Sequence, residues 1–348
     1  MNETTLRTAE KLSLAVAQVV LGLALFASAD PSCALSAPPL AGVLQVDKDY
    51  PLPGRPTRWD YMSFNPVRSQ MVIAHLGDST VVVLDTKTKA VVGTVEHIND
   101  VHGVLVIPEL DRIYASATGS NELIAIDART LKIVTRIPTG RYPDGIAYAP
   151  LAHKIYVSNE TGDSLTVVDA RSNTSVATIA LGGNVGNTQY DAGTGHVFVN
   201  VQGTKELVEI DPATDAVVQR TVLLGADGNH GLLIVPALRL AFIACEGNDL
   251  LIVFDLRIRK VISQFHVGTG PDVLAYDASR KLLYVASESG VVSVFNVSAA
   301  GAALGGEGLV GPNAHTLAVD TSTHETYFPL KENGKSPVLR VMRPASPK

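Results

Sequence analysis

Three histidines of this chain occur in the same kind of short segment. His102 and His230 are each followed by glycine and His315 by threonine, and in each case an apolar run comes next. Imidazole nitrogens that converge can hold one transition metal, with bonds of about 2.0–2.1 Å for zinc, and copper or iron accept the same ligands. Three protein ligands leave a position open for water or substrate. We therefore predict that His102, His230 and His315 bind one divalent metal ion.

Acidic residues occupy the corresponding position elsewhere in the chain. This position, which we call the ring position, holds in chain order Asp60, His102, Asp144, Gly186, His230, Asp272 and His315. We predict that Asp60, Asp144 and Asp272 tune the charge of the metal site or bind substrate. Gly186 either leaves space beside the metal or forms a tight turn. The alternative is that the polar side chains at this position bond to neighbouring backbone or to channel water without any ligand.

A second set of polar residues follows six of the seven ring positions at a similar distance. It contains His75, Asn159, Glu160, Gln202, Cys245, Glu246, Ser287, Glu288 and Lys331. A carboxylate or imidazole here can act as a general base or orient the outer nitrogens of metal-bound imidazoles. We predict that His75 and Glu160 have such a catalytic role. The alternative is that these are ordinary solvated loop residues.

The elements that position these residues form a repeat. Successive ring positions are 42 to 44 residues apart. Within each repeat, apolar and polar residues alternate over short stretches, as in residues 155–158 and 165–168, and a period of two is typical of strands. Seven repeats of four strands predict an all-β fold, a seven-bladed β-propeller. The first strand of each blade lines the channel and the second returns to the same mouth, so both polar sets should meet there.

Similar turns end the third strand of most repeats. The residues concerned are Asp85, Asp127, Asp169, Asp211, Asp255 and Asn296. Their side chains are expected to bond to the backbone of the following turn. These residues are therefore assigned a structural role and are left out of the predicted site.

The last repeat supplies only three strands before the chain ends. Residues 42–52 resemble the fourth strands of the other repeats, such as residues 132–138. We predict that this N-terminal strand completes the last blade and removes two exposed sheet edges. Residues 42–348 are then a single propeller domain, preceded by a flexible tail over residues 30–41.

One repeat carries a recognisable motif. Residues 156–159 read Tyr-Val-Ser-Asn, and they lie between Pro-Asp-Gly-Ile-Ala at 143–147 and Val-Asp at 168–169. This pattern resembles the YVTN-repeat, or YncE-like, propeller family, and the resemblance covers nearly the whole chain after its first 29 residues. It implies a seven-bladed propeller that is often periplasmic. Some members of that family are associated with DNA binding, but here 34 acidic residues outnumber 28 basic ones, and we predict no nucleic-acid partner.

The N-terminus has the pattern of an export signal. Arg7 and Lys11 precede an apolar run over residues 12–26, and residues 27–29 are Ala-Ser-Ala, which suits cleavage after Ala29. Residues 1–29 are therefore predicted to be a signal peptide, with the mature protein periplasmic or secreted and not bound to a membrane. A retained anchor is the alternative, although the run is short for a span. Both cysteines, Cys33 and Cys245, would remain after cleavage, and their pairing is not predicted.

These patterns favour a metal-dependent enzyme that acts on a small molecule at the channel mouth, as a lyase, hydrolase or oxidoreductase. A Gly-x-Ser-x-Gly elbow, a phosphate-binding loop and a Cys-x-x-Cys motif are absent from the sequence, and no organic cofactor is indicated. The alternative function is a non-catalytic propeller that binds a ligand or a periplasmic protein partner.

Overall fold

Seven four-stranded antiparallel sheets, arranged as blades in a ring, make up the part of the chain that the computed structural model describes, residues 40–345. The predicted all-β propeller is therefore confirmed. The predicted signal peptide, Cys33 and residues 30–39 of the predicted tail lie outside the described residues. Within residues 40–345, no helical segment has the length and apolar character needed to cross a bilayer.

The strands follow one another blade by blade. The first strand of the chain is β1 (Leu44–Pro51). Blades 1 and 2 consist of β2 (Met62–Asn65), β3 (Gln70–His75), β4 (Thr80–Asp85), β5 (Val91–Val95), β6 (Val101–Ile107), β7 (Arg112–Ala117), β8 (Glu122–Asp127) and β9 (Ile133–Pro138). Blades 3 and 4 consist of β10 (Pro143–Ala149), β11 (Lys154–Asn159), β12 (Ser164–Asp169), β13 (Thr174–Ala180), β14 (Val185–Asp191), β15 (His196–Val201), β16 (Glu206–Asp211) and β17 (Ala216–Val222).

The remaining strands complete the ring. Blades 5 and 6 consist of β18 (Asn229–Val235), β19 (Leu240–Cys245), β20 (Leu250–Asp255), β21 (Lys260–His266), β22 (Pro271–Asp277), β23 (Leu282–Ser287), β24 (Val291–Ser298) and β25 (Gly301–Leu309). Blade 7 contains β26 (Ala318–Asp320), β27 (Glu325–Asn333) and β28 (Ser336–Pro344) together with β1. Short 3₁₀ turns lie at Leu40–Gly42, Leu76–Asp78, Pro108–Leu110, Thr118–Ser120, Glu160–Gly162 and Pro236–Leu238.

Blade 7 is closed by the N-terminal strand, as predicted. Strand β1 pairs antiparallel with β28 from Leu44 opposite Pro344 to Pro51 opposite Val338. An ion pair between Asp49 and Arg340, at 2.7 Å, joins the two strands. Leu40 is only 7% exposed and packs in the same core cluster as Leu44. The packed part therefore includes Leu40, which the prediction had placed in the flexible tail.

The core lies between neighbouring blades. In blade 3, strands β11 and β12 are buried almost throughout, whereas the outer strand β13 alternates between exposed and partly buried residues. Tyr156 and Leu165 of blade 3 pack in one cluster with Val197 and Val208 of blade 4. Middle strands thus bury both faces, because each blade presents one face to each neighbour, and only the outer strands keep the alternation of a half-exposed sheet.

The turn aspartates have the structural role predicted for them. The Oδ1 atom of Asp127 accepts hydrogen bonds from the backbone N–H of Arg129 at 3.0 Å and of Thr130 at 2.8 Å. Equivalent bonds form at Asp85, Asp169, Asp211 and Asp255. The bonds to Thr130 hold the pKa of Asp127 below its usual range, since they stabilise the ionised form.

Candidate functional site

A β-bulge at the start of the inner strands sets the direction of the ring-position side chains. In blade 3 the register between β10 and β11 shifts between Pro143 and Ile146, around Asp144. The inner strands of blades 2, 4, 5 and 6 have a shift at the same place. Bulges bend a strand and redirect a side chain, and they are frequent beside binding sites. In blades 1 and 7, Asp60 and His315 instead precede β2 and β26.

Glycines at and beside the ring position allow neighbouring blades to approach closely. A Cβ atom added to Gly231 would overlap the carbonyl oxygen of Asp272, and one added to Gly103 would overlap that of Asp144. At Gly186 an added Cβ would lie 2.7 Å from the carbonyl oxygen of His230. Both interpretations of Gly186 were therefore wrong, since it lies within β14 and its missing side chain makes room for blade 5 rather than for a ligand.

A cavity of about 240 Å³ lies where the two predicted polar sets meet. We call it the mouth cavity, and its lining consists of Arg58, Asp60, Tyr61, His102, Tyr142, Asp144, Glu160, His230, Glu246, Asp272 and Glu288. Six of these residues carry a carboxyl group, and Arg58 is the one lysine or arginine among the described residues that line it. The cavity therefore favours a positively charged ligand.

Tyr61 separates the mouth cavity from the rest of the channel. Its ring lines both the mouth cavity and a channel pocket of about 370 Å³ beyond it. The Tyr61 hydroxyl lies 3.2 Å from Nε2 of His230, donates to Oδ1 of Asp272 at 3.3 Å, and accepts from the side-chain amide of Asn187. Burial, together with the nearby carboxylates, raises the pKa of Tyr61 well above its usual value. Tyr61 is therefore a neutral floor of the mouth cavity.

His315 points an unpaired nitrogen at two carboxyl groups. Its Nδ1 lies 3.0 Å from the carbonyl oxygen of Asn313, and because a carbonyl only accepts, Nδ1 carries the proton. Its Nε2 is buried and has no hydrogen-bond partner among residues 40–345. This atom lies 3.9 Å from Oδ2 of Asp272 and 4.0 Å from Oε1 of Glu288. In the neutral ring, a lone pair thus faces two anions.

His102 has a similar inner contact but a different outer one. Its Nδ1 donates to the carbonyl oxygen of Asp100 at 2.9 Å, so its Nε2 is the acceptor in the neutral ring. The hydroxyl of Tyr142 lies 3.3 Å from that nitrogen. The two side chains form a pair on the cavity wall.

His230 is an ion-pair partner of Asp144. The distance from Nε2 to Oδ2 of Asp144 is 3.3 Å, and Nδ1 lies 3.0 Å from the side-chain nitrogen of Gln202. Burial opposes charge on the ring, but the bond to Asp144 and the charges of Glu246, Asp144 and Asp272 raise the pKa of His230 well above its usual value. Burial likewise opposes ionisation of Asp144, yet the bond and charge of His230 keep the pKa of Asp144 below its usual range.

The three histidines are not brought together as one ligand set. Among residues 40–345, two groups have ligand atoms within 4.8 Å of one another, His230 with Glu246 and Asp272, and His315 with Asp272 and Glu288. His102 belongs to neither. The reason is geometric: Asp272 of blade 6 lies between His230 of blade 5 and His315 of blade 7, so a shared carboxylate replaces direct convergence of imidazoles.

Arg58 supplies positive charge beside the second group. Its guanidinium lies 2.6 Å from Oε1 of Glu288, 3.2 Å from Oδ2 of Asp60 and 3.9 Å from Oδ2 of Asp272. Its side chain is 39% exposed, so the guanidinium lies at the solvent side of the cluster. Burial opposes its charge, but the three carboxylates together raise the pKa of Arg58.

Crowding of carboxyl groups changes their ionisation. Partial desolvation of its carboxyl group raises the pKa of Glu246 to about 7, and the charges of Asp272, Glu160 and Asp144 add to this against the opposing effect of His230. Burial also raises the pKa of Asp272 and that of Glu160. These shifts reflect a lining with six carboxyl groups and a single arginine among the described residues, so the groups resist full ionisation unless a cation binds among them.

His75 lies apart from the residues that line the mouth cavity. Its ring stacks on Trp59 with a centroid distance of 3.7 Å, and its Nε2 is 2.9 Å from the hydroxyl oxygen of Thr57. Burial lowers its pKa, although the charge of Asp78 acts in the opposite direction. Its contacts are those of a packed residue, and we leave His75 out of the proposed site.

Three lining residues were missed in the sequence. Arg58 and Tyr142 each stand two residues before a ring-position aspartate, and Tyr61 directly follows one. In three other repeats the residue after the ring position is glycine, so the tyrosine in blade 1 was a detectable departure from the pattern. Cys245, of the second polar set, has a free buried thiol, and burial raises its pKa to about 12.

Fold and site together define a seven-bladed β-propeller with an acidic, histidine-containing mouth cavity. Among solved structures, a chain of hydrazine synthase from Kuenenia stuttgartiensis superposes with a TM-score of 0.71 at 16% identity, covering 83% of this chain and 96% of that one. A structure of U3-55K superposes with a TM-score of 0.71 at 11% identity, covering 84% and 98%. At such identities the likeness shows the fold alone. No family model and no curated protein matches the chain.

Proposed function

We propose that this propeller binds one divalent transition metal through His315, Asp272 and Glu288 and uses it on a small molecule in the mouth cavity. The observation that carries the proposal is the buried Nε2 of His315, which has no partner in the described residues and faces two carboxyl groups. A lone pair directed at two carboxylates is repelled by them unless a proton or a metal ion lies between, and a metal ion is bound by all three groups at once.

The surroundings of His315 suit a metal ligand. Metal-binding histidines commonly donate their other ring N–H to a carbonyl or carboxylate, which fixes the tautomer, and Nδ1 of His315 does so to Asn313. One imidazole and two carboxylates suit zinc or iron, and copper accepts the imidazole. Three protein ligands leave a position open toward the cavity. The guanidinium of Arg58 lies 2.6 Å from Oε1 of Glu288, so a metal ion bound to that oxygen would have to displace it.

The other cavity residues supply the means for proton transfer. His230 and Asp144 form a buried pair whose Nε2 faces the cavity next to the hydroxyl of Tyr61. A bound metal would act as a Lewis acid or activate water. Asp60, Asp144 and Glu160 remain proposed catalytic or charge-tuning residues, and a lyase, hydrolase or oxidoreductase reaction is compatible with the arrangement.

The metal content of matched variants tests this proposal. The purified chain is treated with EDTA, reconstituted separately with Zn²⁺, Cu²⁺ and Fe²⁺, and desalted. Its metal content is then measured by inductively coupled plasma mass spectrometry. We expect about one ion per chain in the wild type and in His102→Ala, and a loss of more than about tenfold in affinity in His315→Ala. His102 is the matched control because it has the same ring position and the same type of carbonyl contact.

Two results would contradict the metal proposal or its ligand assignment. Wild-type protein without stoichiometric metal after reconstitution would overturn the metal proposal and favour the non-catalytic binding propeller. Equal losses in His102→Ala, His230→Ala and His315→Ala would overturn the ligand assignment and restore the three-histidine set.

We also propose that the chain is a YVTN-repeat, or YncE-like, propeller exported through residues 1–29. The repeat pattern and the seven-bladed fold support the family proposal. Expression of the full chain in a Gram-negative host, followed by fractionation and N-terminal sequencing, tests the export proposal. A periplasmic product beginning at Asp30 would support it, and a cytoplasmic product that keeps Met1 would contradict it.

A further inference from the structure

One side of the mouth cavity contains carboxyl groups that no arginine or lysine of the described residues contacts. Arg58, which alone supplies such a charge among the described lining residues, pairs with Asp60 and Glu288. Asp144, Glu160 and Glu246 line the same cavity, and among residues 40–345 His230 is the one cationic side chain in contact with them. A divalent ion at His315 would neutralise only part of the excess negative charge.

A buried oxygen on this side has no partner. The Oδ1 atom of Asp144 is without a hydrogen bond among residues 40–345, and Asp144 is 2% exposed. A buried carboxylate oxygen left unpaired is costly, and each such group in a native protein calls for a ligand or another explanation. Oδ2 of the same residue already contacts His230. The unpaired oxygen is therefore available to accept a hydrogen bond from a donor in the cavity.

We propose that Asp144, Glu160, Glu246 and Tyr142 bind the ammonium group of a small amine. This proposal deepens the proposed function and rests on it for the binding of a small molecule in the cavity. Amine binding itself requires no metal. A primary ammonium has three N–H donors and no acceptor, and three carboxyl groups are available to it. Tyr142 adds an aromatic ring to the cavity wall, and a cation near such a ring is stabilised.

The size and charge of the cavity limit the ligand further. A volume of about 240 Å³ holds a molecule of roughly eight water-sized groups. A ligand carboxylate would be repelled by the six carboxyl groups, and a neutral alcohol would leave their charge uncompensated. The class is therefore a short alkylamine or diamine.

Calorimetric titration of metal-free protein tests the proposal. The probes are butylammonium and 1,4-diaminobutane, with 1-butanol and butyrate as neutral and anionic counterparts, all in EDTA at pH 7.5. We expect the two amines to bind and the two counterparts not to bind. Glu160→Gln and Glu246→Gln should each weaken amine binding by about tenfold, since a hydrogen bond to a charged group is lost. Tyr142→Phe should retain binding, and Tyr142→Leu should weaken it.

Glu288→Gln is the matched control, because Glu288 lines the same cavity but is paired with Arg58. It should leave amine binding within about threefold of wild type while reducing metal uptake. The amine-binding proposal is thus tested independently of the metal proposal. Absence of amine binding, equal binding of 1-butanol or butyrate, or unchanged binding in both Glu160→Gln and Glu246→Gln would overturn the proposal. Glu246 is exposed at the cavity mouth, so its variant is expected to fold.

Discussion

Replacing Gly231 with alanine tests how closely the blades pack at the ring position. The new Cβ atom would overlap the carbonyl oxygen of Asp272 and would lie 2.9 Å from both Cβ of Ala244 and Cδ1 of Leu274. Because the overlapping atom belongs to backbone, it cannot move aside by a side-chain rotation. The strand β22 must shift away from blade 5 to accommodate the methyl group.

The size of the effect follows from the cost of overpacking. Extra methyl groups in a well-packed interior destabilise by about 1–3 kcal/mol. The control is Gly42→Ala, where an added Cβ has no neighbour within 4 Å and the expected change is within about 0.5 kcal/mol. Urea denaturation followed by fluorescence and circular dichroism measures both. Because Asp272 is displaced, Gly231→Ala should also weaken metal binding.

Unchanged stability of Gly231→Ala would contradict this prediction. If Gly231→Ala unfolds at the same urea concentration as Gly42→Ala and retains the metal affinity of the wild type, then close contact between the backbones of blades 5 and 6 does not limit stability.

Two further predictions concern the closing blade. Burial raises the pKa of Glu325, but hydrogen bonds and charges from Lys89, Tyr327 and Arg343 lower it overall, so its contribution to stability is present above its unfolded pKa and is lost as pH falls through the folded value. The urea concentration at the unfolding midpoint should therefore decrease as the pH is lowered from 6 to about 3. Glu325→Gln should make this decrease smaller, and an equal decrease in the variant and the wild type would contradict the prediction. Removing residues 30–54 deletes β1 and exposes the edge of β28, so cooperative unfolding should be lost, and a truncated protein that melts like the intact one would refute the closure.

The fold was predictable because it is encoded by local patterns that repeat. Alternation such as that in residues 155–158 marks strands, and the spacing of the ring position counts the blades. The turn aspartates could be assigned correctly for the same reason, since Asp127 bonds to residues only two and three positions away. The pairing of β1 with β28 was also accessible, because a repeat that lacks one strand needs a partner from the other end of the chain.

The grouping of site residues was harder to predict from the sequence, because it depends on distances across the channel. His102 and His315 occupy equivalent positions and both donate Nδ1 to a carbonyl oxygen. One of them faces a tyrosine hydroxyl and the other faces two carboxyl groups. No local pattern distinguishes them, since the difference arises from residues of other blades.

The number of blades, the closure of the ring and most of the histidines and carboxylates at the mouth were predictable from the sequence, because strand alternation and repeat spacing act over short stretches of chain. Which of those residues lie within contact distance of one another depends on the packing of the blades. Asp272 reaches both His230 and His315, and Tyr61 crosses the channel to contact His230. Such contacts join residues far apart in the chain, and they depend on how seven blades pack around one axis.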